Sequence, residues 1–134
     1  MNLVISDRER EGIVLLDCKG RITAGLEATV FRDACQKAGD RREPKLIVNL
    51  KDVDYIDSTG LGAMVMCSTL IKKAGGVTKL LQLNRRNLEL LVLTKIDTIF
   101  EIFDDEIDAV NSFFPGREIK RFDILSFVRQ LREE

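Results

Sequence analysis

Val53-Asp54-Tyr55-Ile56-Asp57-Ser58-Thr59-Gly60-Leu61-Gly62 is the stretch on which the reading of this chain turns. Its first half partly alternates apolar and acidic residues, as the end of a strand does. Its second half carries two hydroxyls and two glycines, then runs into a helical stretch reaching about Ala74, with Gly75-Gly76 closing it. The segment is therefore a strand-to-helix junction. Asp57 or Ser58 can cap the helix by accepting a hydrogen bond from an otherwise unpaired N–H. Gly60 and Gly62 leave the helix start bare, so another surface can approach its backbone.

The chain on either side fits one architecture. Upstream, Leu3 to Ile5 and Ile13 to Cys18 are aliphatic runs, with the charged stretch Asp7 to Gly12 read as a longish hairpin loop. Gly20 is read as the end of the second strand. Leu26, Val30-Phe31, Ala34 and Ala38 then fall at steps of three or four, which predicts a helix capped by Thr23 and stopped by Gly39. Lys45 to Leu50 is a short, continuous apolar run, the pattern of a strand covered on both faces. Downstream, Lys79 to Leu83 reads as a strand, Asn84 as the cap of a helix through Leu91, and Ile99 to Phe103 as an edge strand. Asp104-Asp105-Glu106 opens a further helix with acids in its first turn, where they suit the helix dipole. Strands alternating with helices predict an α/β class, and the hairpin start predicts a mixed sheet with helices mainly on one face.

Composition restricts the chemistry. The 134 residues are 45% hydrophobic and 32% charged, which suits one globular domain. Lys plus Arg is 21 against 22 for Asp plus Glu, a net charge of -1, so no strong overall field favours nucleic acid. Histidine is absent, which excludes Ser-His-Asp and Cys-His catalysis and His-containing metal sites within the chain. A binding module is expected rather than an enzyme, with no cofactor and no metal. Cys18, Cys35 and Cys67 are widely spaced and odd in number, which predicts reduced thiols acting as small hydrophobes. The N-terminal stretch does not read as a signal sequence, and no apolar run approaches the ~20 residues of a membrane span. A cytoplasmic location without membrane insertion is the expectation.

The junction itself admits several uses. It can be simply a capped helix start with small residues for close packing. An anion site at the helix N-terminus is a second use, but no P-loop lysine is present and Asp57 would repel a phosphate. A serine nucleophile is excluded because Ser58 has neither a histidine nor a nearby lysine as base. A phosphorylation switch at Ser58 or Thr59 remains, since a hydroxyl beside glycine at an exposed helix start is accessible to a kinase.

The same residues resemble the signature of the STAS domain family, in particular the anti-sigma factor antagonists. The family's form is an apolar strand end followed by D-S-[ST]-G-[LI]-[GA], and Asp57 to Gly62 fill every position of it. Gly20-Arg21-Ile22-Thr23 is similar to a second landmark, G-x-[LI]-[DT], which leads into the first helix. The resemblance covers roughly residues 1 to 112. It implies a partner-switching protein that binds an anti-sigma factor with serine kinase activity and is phosphorylated at the first hydroxyl, Ser58 here. Thr59 is the second candidate, and a phosphatase would restore the free hydroxyl. The partner-binding residues it implies are Thr23, Asp54, Asp57, Ser58, Thr59, Gly60, Leu61, Gly62 and Met64, the last as an exposed, adaptable contact. Many phosphorylatable members carry Asp where Thr23 stands and an acid where Arg21 stands, so the kinase-facing surface here is less acidic. The family also contains non-phosphorylated interaction or ligand-sensing modules in transport or sensor assemblies, which is the second functional reading.

Residues 1–114 are read as the STAS domain and 115–134 as a C-terminal extension. In the extension Ile124, Phe127-Val128 and Leu131 fit one helical face. That face needs a dock, either on its own domain, or on a second copy in a homodimer or another partner.

Overall fold

Two residues with positive φ, Glu11 at 51° and Gly12 at 79°, join the first two strands in a tight hairpin turn. The computed structural model describes residues 2–133. Strand β1 spans Leu3–Arg10 and β2 spans Ile13–Ile22. The charged stretch expected as a loop is thus mostly strand. It is an edge strand, where charges face solvent and deter pairing with other chains. Helix α1 (Leu26–Gly39) follows, then β3 (Lys45–Ile56), α2 (Ser58–Lys73), β4 (Val77–Leu81) and α3 (Arg85–Leu93). A 3₁₀ turn (Ile96–Thr98), β5 (Glu101–Phe103), α4 (Glu106–Asn111) and α5 (Ile124–Glu133) complete the order.

The five strands lie in sequence order, β1-β2-β3-β4-β5. β1 is antiparallel to β2, and every later neighbour pair is parallel. Successive right-handed crossovers moving in one direction across a sheet place their helices on one face. Accordingly Phe31 and Cys35 of α1, Met64 and Ile71 of α2, and Leu91 of α3 share a core with Val14, Leu16, Leu46, Val48 and Leu80. Alternate strand residues point the other way. Ile13, Leu15, Ile47, Leu81 and Phe103 form a second cluster, covered by Ala109 and Val110 of α4 and by Phe113, Phe114 and Ile119. β3 is therefore covered on both faces, as its apolar run predicts.

Three local expectations are corrected. Gly20 does not end β2. At φ 118° it bulges the strand, and a Cβ there would lie 2.0 Å from the Asn2 carbonyl oxygen. Thr23 does not cap α1, because Gly25 takes the N-cap position at φ 93° without a side-chain cap bond. Cys35 and Cys67 are not separate thiols: they pair as a disulfide between α1 and α2, with Cα atoms 5.8 Å apart. Cys18 alone is free, and burial pushes its thiol up to about 12. Lys79 of β4 lies against the Phe103 and Phe113 rings. It is buried, donates to the Ser112 carbonyl (3.2 Å) and hydroxyl (2.8 Å), and lies 4.4 Å from the Phe113 ring centre.

The extension runs back over its own domain. Ile119 reaches the second core, and Arg121 pairs with Glu101 at 2.8 Å. Asp123 caps α5, accepting from the Ser126 N–H at 3.0 Å. Ile124, Phe127, Val128 and Leu131 are half-buried, while Leu125 is exposed.

Charges tie the hairpin to α4. Arg8 donates to Asp17 (2.7 Å) and to Glu106 (3.0 Å), Arg10 donates to Glu106 (2.7 Å), and Asn49 donates to Asp17 (2.8 Å). The Arg8 hydrogen bond leads in holding the Glu106 carboxyl down at about 2, against an ordinary 4.5. A depressed carboxyl stabilises the fold fully above its unfolded pKa and loses that contribution as pH falls through the folded value. Stability should therefore decline between about pH 4.5 and 2. Urea midpoints across that window should fall more steeply for the native chain than for Glu106→Gln; parallel curves would remove Glu106 from the account.

Candidate functional site

The bulge at Gly20 carries β2 on to Ile22, which pairs with Ile56 at the end of β3. This sets the Ile22 carbonyl beside the start of α2. The Asp57 N–H donates to that carbonyl at 3.3 Å. Gly60 presses against the same group, and a Cβ on it would sit 1.8 Å from the Ile22 oxygen. Gly60 is thus buried by the chain's own β2 and is not open to a partner. Glycine is required there by space, not by its backbone angles.

Asp57 is the N-cap of α2, as its place in the sequence predicts. One carboxylate oxygen accepts from the Gly60 N–H at 2.7 Å, and the other accepts from the Ala24 N–H at 3.1 Å. The side chain therefore fastens the β2–α1 loop to the first turn of α2. With both oxygens engaged, Asp57 acts as a clamp within the fold. Thr23 lies half-buried in the loop so held.

Ser58 and Thr59 come next, at the first two helical positions, and both are exposed. Gly62 is open as well, with nothing within 4 Å of a Cβ placed on it, and Asp54 is exposed on β3. Leu61 is buried and belongs to the core. Met64 corrects the expectation of an exposed contact: it is 1% exposed, whereas Met66 is 62% exposed. The spacing held the signal. Thr59, Gly62, Met66, Thr69 and Lys73 fall at steps of three and four and are all exposed.

Further residues join the site through tertiary structure. A groove of about 260 Å³ opens between the end of β3, the start of α2 and α3. Tyr55, Ser58, Arg86, Glu89, Leu90 and Leu93 are among its walls. The Arg86 guanidinium stacks 4.1 Å from the Tyr55 ring centre. Leu93 is 77% exposed, and Leu26, just beyond the clamped loop, is 69% exposed. Asn84 fixes α3 by accepting from the Asn87 N–H at 2.8 Å, and its side chain donates to the Asp54 carbonyl at 3.2 Å. Buried Asn87 donates to the Val53 carbonyl at 3.0 Å. Among the described residues, no cluster of His, Cys, Asp or Glu could hold a metal ion, and no helix is long and apolar enough to cross a membrane.

A mixed sheet with sequence-ordered strands thus leads into a clamped, hydroxyl-bearing helix start. The chain matches the STAS domain over residues 5–109 and belongs to that family. It is 32% identical to the anti-sigma-B factor antagonist of Bacillus subtilis (strain 168), over 76% of this chain and 92% of that one. It is 26% identical to the anti-sigma F factor antagonist of Paenibacillus polymyxa, over 82% of this chain and 94% of that one. The crystal structure of an anti-sigma factor antagonist from Mycobacterium paratuberculosis superposes with a TM-score of 0.72 at 19% identity, covering 82% of this chain and 92% of the other.

The two glycines of the junction separate packing from presentation. Gly60→Ala should destabilise the fold by about 1–3 kcal/mol, since its Cβ meets backbone. Gly62→Ala meets open space in a helix and should stabilise by about 0.5–1 kcal/mol. Urea unfolding of the two variants checks this; equal shifts of the same sign would contradict it.

Proposed function

We propose that this chain is an anti-sigma factor antagonist switched by phosphorylation of Ser58. In the unphosphorylated state it docks on a partner that is both anti-sigma factor and serine kinase, and the partner's sigma factor is released. Transfer of a phosphoryl group to Ser58 ends the docking, and a phosphatase restores it. Thr59, equally exposed one position on, is the second acceptor. Similarity to two curated antagonists along most of their length supports the reading. The observation that carries it is the division of labour at the junction: Asp57 is wholly engaged in the fold while Ser58 beside it is exposed. The contact surface comprises Thr23, Asp54, Ser58, Thr59 and Gly62, extended by Leu26, Met66 and Leu93.

The switch acts at the surface. A phosphate carries about -1.5 to -2 charge at pH 7. At a helix N-terminus that charge is favourable by roughly 0.3–1 kcal/mol, so α2 has no reason to melt. Against a partner, an unpaired charge covered by the interface costs several kcal/mol, on the order of 100-fold or more in affinity. The protein supplies a hydroxyl on a rigid support, and the ATP chemistry belongs to the kinase.

The location consistent with this role is the cytoplasm, where the Cys35–Cys67 pair would be open to reduction. Residues 1–114 are the proposed signalling unit. Residues 115–134 are an addition whose exposed Leu125 and half-buried neighbours offer a face to a second copy.

Mass spectrometry of the protein from its native cell should find phosphate on Ser58, absent from Ser58→Ala. Ser58→Asp should bind the cognate kinase at least about 100-fold more weakly. No phosphate in any growth phase, together with unaltered binding by Ser58→Asp, would overturn the reading.

A further inference from the structure

Among the described residues that line the groove beside Ser58, Arg86 carries the positive charge. Arg86 is exposed, projects from the first turn of α3, and lies over the Tyr55 ring. Among the described residues it makes no ion pair. Two acids share the groove walls and are already engaged: Glu89 pairs with Arg85 at 3.3 Å, and Asp57 spends both oxygens on backbone N–H groups; Asp54 stands exposed on β3 outside the walls. Ser58 and Arg86 thus face one space of about 260 Å³ from opposite helices.

We propose that Arg86 is the internal receptor for the phosphate on Ser58, drawing it into the groove between α2 and α3. This rests on the reading of Ser58 as a phosphorylation site and adds how the modified state is held. A planar guanidinium binds two phosphate oxygens at once, and such charge-assisted pairs are stronger than neutral hydrogen bonds. Tyr55 pre-positions the guanidinium by stacking, which lowers the ordering cost of the pair. Two consequences follow. The phosphate does not simply project from the surface: it enters the groove that Leu90 and Leu93 also line and withdraws Arg86 from outside contacts. The held phosphate is also shielded, so removing it requires a phosphatase that opens the pair.

The test uses the full chain with phosphoserine installed at position 58 during translation, so no kinase is needed. The second ionisation of the phosphate is followed by phosphorus NMR in the native sequence, Arg86→Gln and Arg86→Lys. A neighbouring cation favours the dianion, so the native midpoint should lie about 0.5–1 pH unit below that of Arg86→Gln, with Arg86→Lys between them. Identical midpoints in all three would overturn the proposal. Arg86 is exposed, so the variants should keep the native circular dichroism. Arg85→Gln, which leaves Arg86 in place, should titrate like the native chain; a shift there as large as in Arg86→Gln would show a general field and also overturn the proposal. Because phosphoserine is supplied directly, loss of this effect speaks only against Arg86. Absence of phosphate on Ser58 in cells speaks only against the switch.

Discussion

The Asp57 carboxylate holds together two parts of the chain that lie 33 residues apart in sequence. It caps α2 through Gly60, ties down the loop after β2 through Ala24, and follows a strand whose partner ends at Ile22. Gly60 completes the arrangement by letting α2 approach the Ile22 carbonyl more closely than any side chain would allow. The bulge at Gly20 is the prior condition, since it carries β2 far enough for Ile22 to be there. The acid and the first glycine of the signature thus serve the fold. What they support is the exposed pair Ser58 and Thr59, presented on a helix start that cannot shift independently of the sheet.

How much of this was legible in the sequence depended on the range of the interaction. Local physics gave the element order, the Asp57 and Asn84 caps, the helix end at Gly39 and the two-faced burial of β3. Periodicity and turn chemistry operate within a few residues, so these readings were within reach. Other features depended on contacts from elsewhere. Thr23 is a good cap by type, yet the clamp at Ala24 delays the helix and Gly25 takes the position. Cys35 and Cys67 stand 32 residues apart on different helices, and only the packing of α1 on α2 brings them together. Lys79 reads as surface charge until Ser112, Phe113 and Phe103 are seen to enclose it. Met66, not Met64, is the outward residue, and counting from Thr59 by threes and fours selects it.

The lack of histidine is compatible with the proposed docking role. A domain that acts by docking has no need to move protons. It needs a fixed hydroxyl, apolar residues around it, and a fold indifferent to whether the hydroxyl is modified. Leu26, Met66 and Leu93 supply the apolar component without forming part of either core. The groove lined by Tyr55, Arg86 and Leu93 adjoins this surface, so a phosphate on Ser58 can change what a partner meets without moving the sheet.

On the proposed reading, phosphorylation of Ser58 changes a surface and leaves the fold intact. Amide chemical shifts of the chain with serine and with phosphoserine at position 58 test it most directly. The account predicts changes confined to the loop at 22–26, the junction at 54–62 and the facing part of α3 at 85–93, with the remainder of α2 and the sheet unmoved. Loss of helical shifts along α2, or displacement spread through the β2 and β3 core residues, would contradict it.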